Sequence, residues 1–206
     1  MLHLISDELK HHAPFTALGA VSGIIIMLVI SLANILPEVN RVSEAVFYVL
    51  HPLHVTFSAI VITSLYRKYK PGTVWQAIVV GYIISVSMAT LSDSLIPYLG
   101  EAALSLPQRE LHIGFLEEWW LVNPAALLGI LISFVRPATK LPHSAHVLIS
   151  TWASLFHVIM ALGATVTAVQ FIIIFVFLFL AVWIPCCLSD IALPLVVVGR
   201  QLPHEH

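Results

Sequence analysis

Six stretches of this chain are apolar over the thickness of a bilayer, and that property limits what the chain can fold into. They run at about 15–36, 44–66, 74–96, 117–135, 143–166 and 171–198. Each is near the roughly 20 residues that a helix needs to cross a hydrocarbon core. No water satisfies backbone N–H and C=O groups there, so each stretch must be a helix. With 59% hydrophobic and 10% charged residues and a mean hydropathy of +0.97, the chain is too apolar for a soluble domain. The expected fold is an all-α integral membrane protein with six transmembrane helices. An amphipathic lead-in (1–13), Pro37 with a polar loop (38–43), Pro71-Gly72, a longer polar loop (97–110) and a short basic loop (136–142) divide the spans. Trp119 and Trp120 open the fourth span, as an interfacial aromatic belt would.

Charge sets the orientation. With six spans both termini lie on one side. Lys10, Arg67, Lys68, Lys70, Arg136, Lys140 and Arg200 fall on that side, and Arg41 and Arg109 on the other. The positive-inside rule predicts a multi-pass protein of the cell (inner) membrane with both termini in the cytoplasm. The first twelve residues carry Asp7, Glu8, Lys10, His11 and His12 and do not resemble a cleaved signal peptide. A net charge of −2, with no basic run of the kind that binds nucleic acid, gives no footprint for such a partner. The two cysteines, Cys186 and Cys187, are adjacent in an apolar segment and do not suggest a disulfide framework.

The chain also repeats itself. His51-Pro-Leu-His54-Val-Thr-Phe-Ser58 is matched by His143-Ser-Ala-His146-Val-Leu-Ile-Ser150, both H-x-x-H-V-x-x-S. About forty residues after each comes a second match, Leu91-Ser92-Asp93 with Pro97 and Leu188-Ser189-Asp190 with Pro194. A looser match lies upstream: His3, Asp7, Glu8, Pro14 and Gly19 align with His112, Glu117, Glu118, Pro124 and Gly129, with one residue of slippage at the histidine. The expected domains are therefore two three-helix repeats, 1–110 and 111–206. Three spans is an odd number, so the second repeat is inserted upside down, as in many secondary transporters.

The shared residues have a chemistry. Histidine with carboxylate suits a divalent transition metal (Zn²⁺ first, then Fe²⁺, Mn²⁺, Co²⁺ or Ni²⁺), whereas Ca²⁺ and Mg²⁺ prefer all-oxygen shells. Helix spacing puts His51 and His54 on one face. Span direction predicts an outer cluster of His51, His54, Asp93, His112, Glu117 and Glu118. It predicts a mirrored inner cluster of His143, His146, Asp190 and Glu8, with His3 and Asp7 beside it. Pro97 and Pro194, four residues after each Asp, free the Asp carbonyl from its helical bond. Ser58 and Ser150 lie one turn after the second histidine of each pair, as supports for the ligands or as small packing residues. Cys186 precedes Asp190 by four residues, and Ala89 is its counterpart. It is either an accessory thiolate or a small packing residue. His157 lies deep in the fifth span and could be a relay or a helix–helix hydrogen-bond partner.

Two functions fit these residues. The leading one is a permease or exporter for a divalent transition-metal cation, whose partners are the lipid bilayer and the metal ions. The alternative is an intramembrane zinc-type hydrolase with Glu117 or Glu118 as general base. A transporter explains two similar clusters, while an enzyme needs one. A homo-oligomer is compatible with the sequence.

Overall fold

The computed structural model describes residues 2–69, 73–137, 140–163 and 165–188, and for residues 2–9, 11, 12, 69, 140–144 and 187 it describes the backbone alone. The described residues form helices and connecting turns, with no strand among them. The helices are α1 (Leu2–Leu32), α2 (Leu36–Tyr69), α3 (Val74–Thr90), α4 (Ile96–Ala103), α5 (Gly114–Glu117), α6 (Trp119–Val135), α7 (Lys140–Ala161) and α8 (Ala168–Cys187). A π-helical turn, Leu91–Leu95, joins α3 to α4 without a break.

Four helical stretches are long and apolar enough to cross a membrane: Ala13–Leu32, Leu36–Lys68, Val74–Ala103 and Ala168–Cys186. Two further apolar helices, Trp119–Val135 and Ala145–Ala161, are shorter. The side chains are arranged for lipid. Leu18, Trp75, Val135 and Ile172 are each at least two-thirds exposed, whereas His51, His54, Asp93, Glu101, His146 and His157 are buried. Large apolar groups outside and ionisable groups inside invert the order of a water-soluble protein.

α2 is the central helix and packs against α7, α6 and α3. Its neighbours fix their directions. Asn40, near the start of α2, donates to the carbonyls of Ile159 (2.7 Å), Met160 (3.0 Å) and Leu162 (3.3 Å) at the end of α7. Further along, His54 lies against His146 near the start of α7. The two helices are therefore antiparallel. α6 runs parallel to α2, since Tyr48 bonds Glu117, Thr56 Oγ1 donates to Ala125 O (3.1 Å) and Arg67 donates to Ser133 O (2.8 Å). α1 runs parallel to α7, with the Trp152 indole donating to Ser22 Oγ at 3.1 Å. Glycines allow two of these approaches. A Cβ on Gly129 would lie 2.3 Å from the Thr56 carbonyl oxygen and 2.9 Å from the Ala59 Cβ, and one on Gly19 would lie 2.7 Å from Thr151 Oγ1.

Three expected boundaries change. The polar residues 38–43 are the first turns of α2, not a loop. Asn40 is there because it satisfies the last carbonyls of α7, which have no intrahelical donor. Pro37 sits in the first turn of α2 instead of ending the first span, and the chain turns at Asn34 with φ of 56°. Pro97 does not end the third span either. At the π turn the Ile96 N–H bonds the Leu91 carbonyl, five residues back, and the proline takes a first-turn position of α4, where it has no hydrogen bond to lose. Residues 97–103 are helical as a result. His3, Asp7, Glu8 and His143 lie where only backbone is described, and Asp190 and Pro194 lie outside the described residues.

Candidate metal centre

The lengthened α2 decides where its histidines sit. Leu36–Leu50 precede His51 and Val55–Tyr69 follow His54, fifteen residues on each side. The motif is therefore central on its helix, not in the outer third. Because α7 is antiparallel beside it, His146 meets His54 directly. Their rings are nearly parallel, 24° apart, with centroids 5.6 Å apart. The expected separation of His146 from His51 and His54, at opposite membrane faces, is not what the structure shows. Span ends alone had set the depths, and α2 extends eight residues further upstream than expected.

Asp93 organises the centre. The π turn buries Ser92, Asp93 and Ser94 together. Asp93 Oδ2 accepts from Nδ1 of His51 (2.9 Å) and Nδ1 of His54 (2.8 Å). Asp93 Oδ1 accepts from Ser92 Oγ and Ser150 Oγ, both at 2.7 Å. Ser154 Oγ donates to the Ser92 carbonyl (3.0 Å) and secures the turn against α7. A carboxylate that receives four donors is well compensated for burial. It also places the proton of both imidazoles on Nδ1, so Nε2 carries the lone pair. Carboxylates behind metal-binding histidines have this role. Asp93 was expected as a ligand, and the structure places it behind the histidines.

Beside it, one nitrogen each of His54 and His146 and the Cys186 sulfur lie within 4.8 Å of one another, and all three residues are buried. Tetrahedral zinc, with bonds of about 2.0–2.3 Å, holds its ligand atoms roughly 3.5 Å apart. The trio could therefore hold a metal ion after small side-chain rotations. Cys186 joins α8 to the site, so three helices each supply one donor. Cys186→Ser is expected to weaken Co²⁺ binding and to abolish the thiolate-to-cobalt absorption band. A band of unchanged intensity in the variant would remove Cys186 from the ligand set.

The other expected residues divide. Ser150 supports Asp93 as described, and Ser58 is buried one turn after His54. His51 bonds Asp93 and stacks on Phe47, with centroids 5.2 Å apart. Its ring lies so close to Gly114 that a Cβ there would be 2.7 Å from Cδ2 and 2.9 Å from Nε2. His112 and Glu117 come together away from the trio. Glu117 accepts from Tyr48 OH, from the Ile113 N–H (3.1 Å) and from His112 Nδ1 (3.3 Å). Burial alone would raise the Glu117 pKa, but these bonds outweigh it and hold the carboxyl below the usual carboxylate range. Glu118 caps α5 by its backbone position and is not in this network. His157 is paired with Glu101, its Nδ1 lying 2.7 Å from Glu101 Oε1. Sequence reasoning missed Glu101 because it fell in the expected 97–110 loop. Its spacing was a signal, since positions 93, 97 and 101 recur at helical intervals. Phe47, Tyr48 and Gly114 carried no signal in the sequence.

No known protein family, curated protein or solved structure matches the chain.

Proposed function

We propose that this protein is a transporter for a divalent transition-metal cation, built from two inverted three-helix repeats in the cell membrane with both termini cytoplasmic. The observation that carries the reading is the meeting of both repeats at one buried site. His54 comes from the first half and His146 and Cys186 from the second, on three different helices. A site assembled at the interface of two repeats is where alternating-access transporters bind their cargo.

The packing supports the inversion. α1 runs parallel to α7, and its counterpart α6 runs parallel to α2. Gly19 abuts Thr151 while Gly129 abuts Ala59. Gly19 and Gly129 are matched positions. Ala59 and Thr151 are matched too, since each lies eight residues after the first histidine of its motif. The same contact thus recurs with the halves exchanged. Two imidazoles and a thiolate favour Zn²⁺, with Co²⁺ and Ni²⁺ next, over the harder Mn²⁺. Purified protein in liposomes should accumulate Zn²⁺, and His54→Ala and His146→Ala should each reduce the rate to that of empty liposomes. Wild-type flux in both variants would sink this site as the transport site.

One observation favours the alternative. Three protein donors leave a fourth zinc position open, as in a hydrolytic zinc site. Tightly bound zinc with no flux, together with ester or peptide cleavage, would select the intramembrane enzyme.

A further inference from the structure

Among the described residues, the central site leaves a buried ionisable pair unused. Glu101 on α4 and His157 on α7 are neither donors of the trio nor bonded to them. Their side chains are 0% and 1% exposed. One hydrogen bond joins them, while Glu101 Oε2 and His157 Nε2 are buried with no hydrogen-bond partner among the described residues. Bare polar atoms in an apolar setting are costly, and ionisable groups at such depth are retained for a task. With the proton of the Nδ1–Oε1 bond alone, the pair carries one negative charge. Oε2 and Nε2 can each take a further proton: one makes the pair neutral, and both make it positively charged.

The surroundings lead outward to the surface. The His157 ring meets the His112 ring edge-on, with centroids 5.5 Å apart, and His112 bonds Glu117. Side-chain exposure falls from 42% at Glu117 to 15% at His112 and 1% at His157. In the other direction Phe47, fully buried, touches the rings of both His157 (5.4 Å) and His51 (5.2 Å). Phe47 has no proton to pass on, so it insulates the pair from the Asp93 network. On the α8 side Phe177 packs against Gly100. Among the described residues, the titratable groups facing the pair are therefore His112, with Glu117 behind it, and, across Phe47, His51 with Asp93.

We propose that Glu101 and His157 form a proton-binding site that couples metal movement to protons, with His112 and Glu117 as its route to the surface. The coupling rests on the transport reading above; the proton site itself does not. When a divalent metal binds the trio, the Cys186 thiol gives up its proton, because the thiolate is the ligand. The bound site is then left with one positive charge. The pair, positively charged when both Oε2 and Nε2 are protonated, releases one of these protons and becomes neutral. About two protons leave for each divalent ion that enters, so the exchange moves no net charge.

Two measurements test this. The first uses purified protein in detergent and needs no transport. An infrared difference spectrum between acidic and alkaline pH should contain a buried carboxylic C=O band that Glu101→Gln removes. Should that variant not fold, Glu101→Asp should shift the band instead. Absence of any wild-type band assignable to residue 101 overturns the proposal. The second uses liposomes with a trapped pH dye and external Zn²⁺. Wild type should move about two protons per zinc, while Glu101→Gln and His157→Gln should move about one and make uptake sensitive to membrane potential. A ratio of about two in both variants overturns the coupling. A band at residue 101 in a protein that moves no metal would leave the proton site standing and sink the transport reading alone.

Discussion

Replacing Asp93 with asparagine is expected to lower zinc affinity about 10–100-fold while leaving the protein folded. The four donors around Asp93 differ in what they can do. Ser92 and Ser150 hydroxyls can turn and accept, so the new amide N–H₂ can face them. The amide oxygen then still accepts from His51 and His54 Nδ1. What is lost is the negative charge behind the rings, which makes the His54 Nε2 a good ligand. Asp93→Ala is a different change. It strips the acceptor from two buried imidazoles, and each buried group left unsatisfied costs about 1–3 kcal/mol, while the Ser92 and Ser150 hydroxyls keep the Ala89 carbonyl and Ser92 Oγ as acceptors. That variant should therefore lose zinc binding and also melt at a much lower temperature. Zinc titration and thermal unfolding in detergent check both. If the asparagine variant binds zinc like wild type, Asp93 does not support the ligands.

Gly129→Ala should be the most damaging change of a single methyl group. The new Cβ would lie 2.3 Å from the Thr56 carbonyl oxygen and 3.1 Å from its carbon. Both are backbone atoms of the central helix, so α6 must move away from α2 as a body. Overpacking of this kind costs about 1–3 kcal/mol or more. The separation would also strain the Thr56 to Ala125 and Arg67 to Ser133 bonds between the same helices. Gly19→Ala is the matched control. Its close neighbour is Thr151 Oγ1, a side-chain atom that can rotate at the loss of its bond to the Val147 carbonyl. It should lower the unfolding temperature by less. Equal losses would mean that the two interfaces yield alike.

Much of this protein is legible in its residue order, for plain physical reasons. Apolar segments of bilayer length leave the helix as the only outcome, because the backbone has no other partner in lipid. The histidine pair at His51 and His54 shares a face by helical period alone. The doubled H-x-x-H and the Leu-Ser-Asp motif pointed to His54, His146, Asp93 and Ser150, which the fold brings together.

That His54 and His146 meet was decided only in three dimensions. The apolar stretches alone put His51 and His54 in the outer third of their span, and polar residues such as Asn40 read as a loop. They are helical because the open end of α7, distant in sequence, needs their hydrogen bonds. That extension centres His51 and His54 on α2, and His146 of the antiparallel α7 lies beside His54. Likewise Pro97 reads as a stop until a π turn absorbs it, carrying the chain on to Glu101 and the pair with His157. Residue order sets each helix and its polar face. Which faces meet depends on contacts between residues 39 to 120 positions apart, as His54 to Asp93 and Asn40 to Met160 show, and no local pattern encodes those contacts.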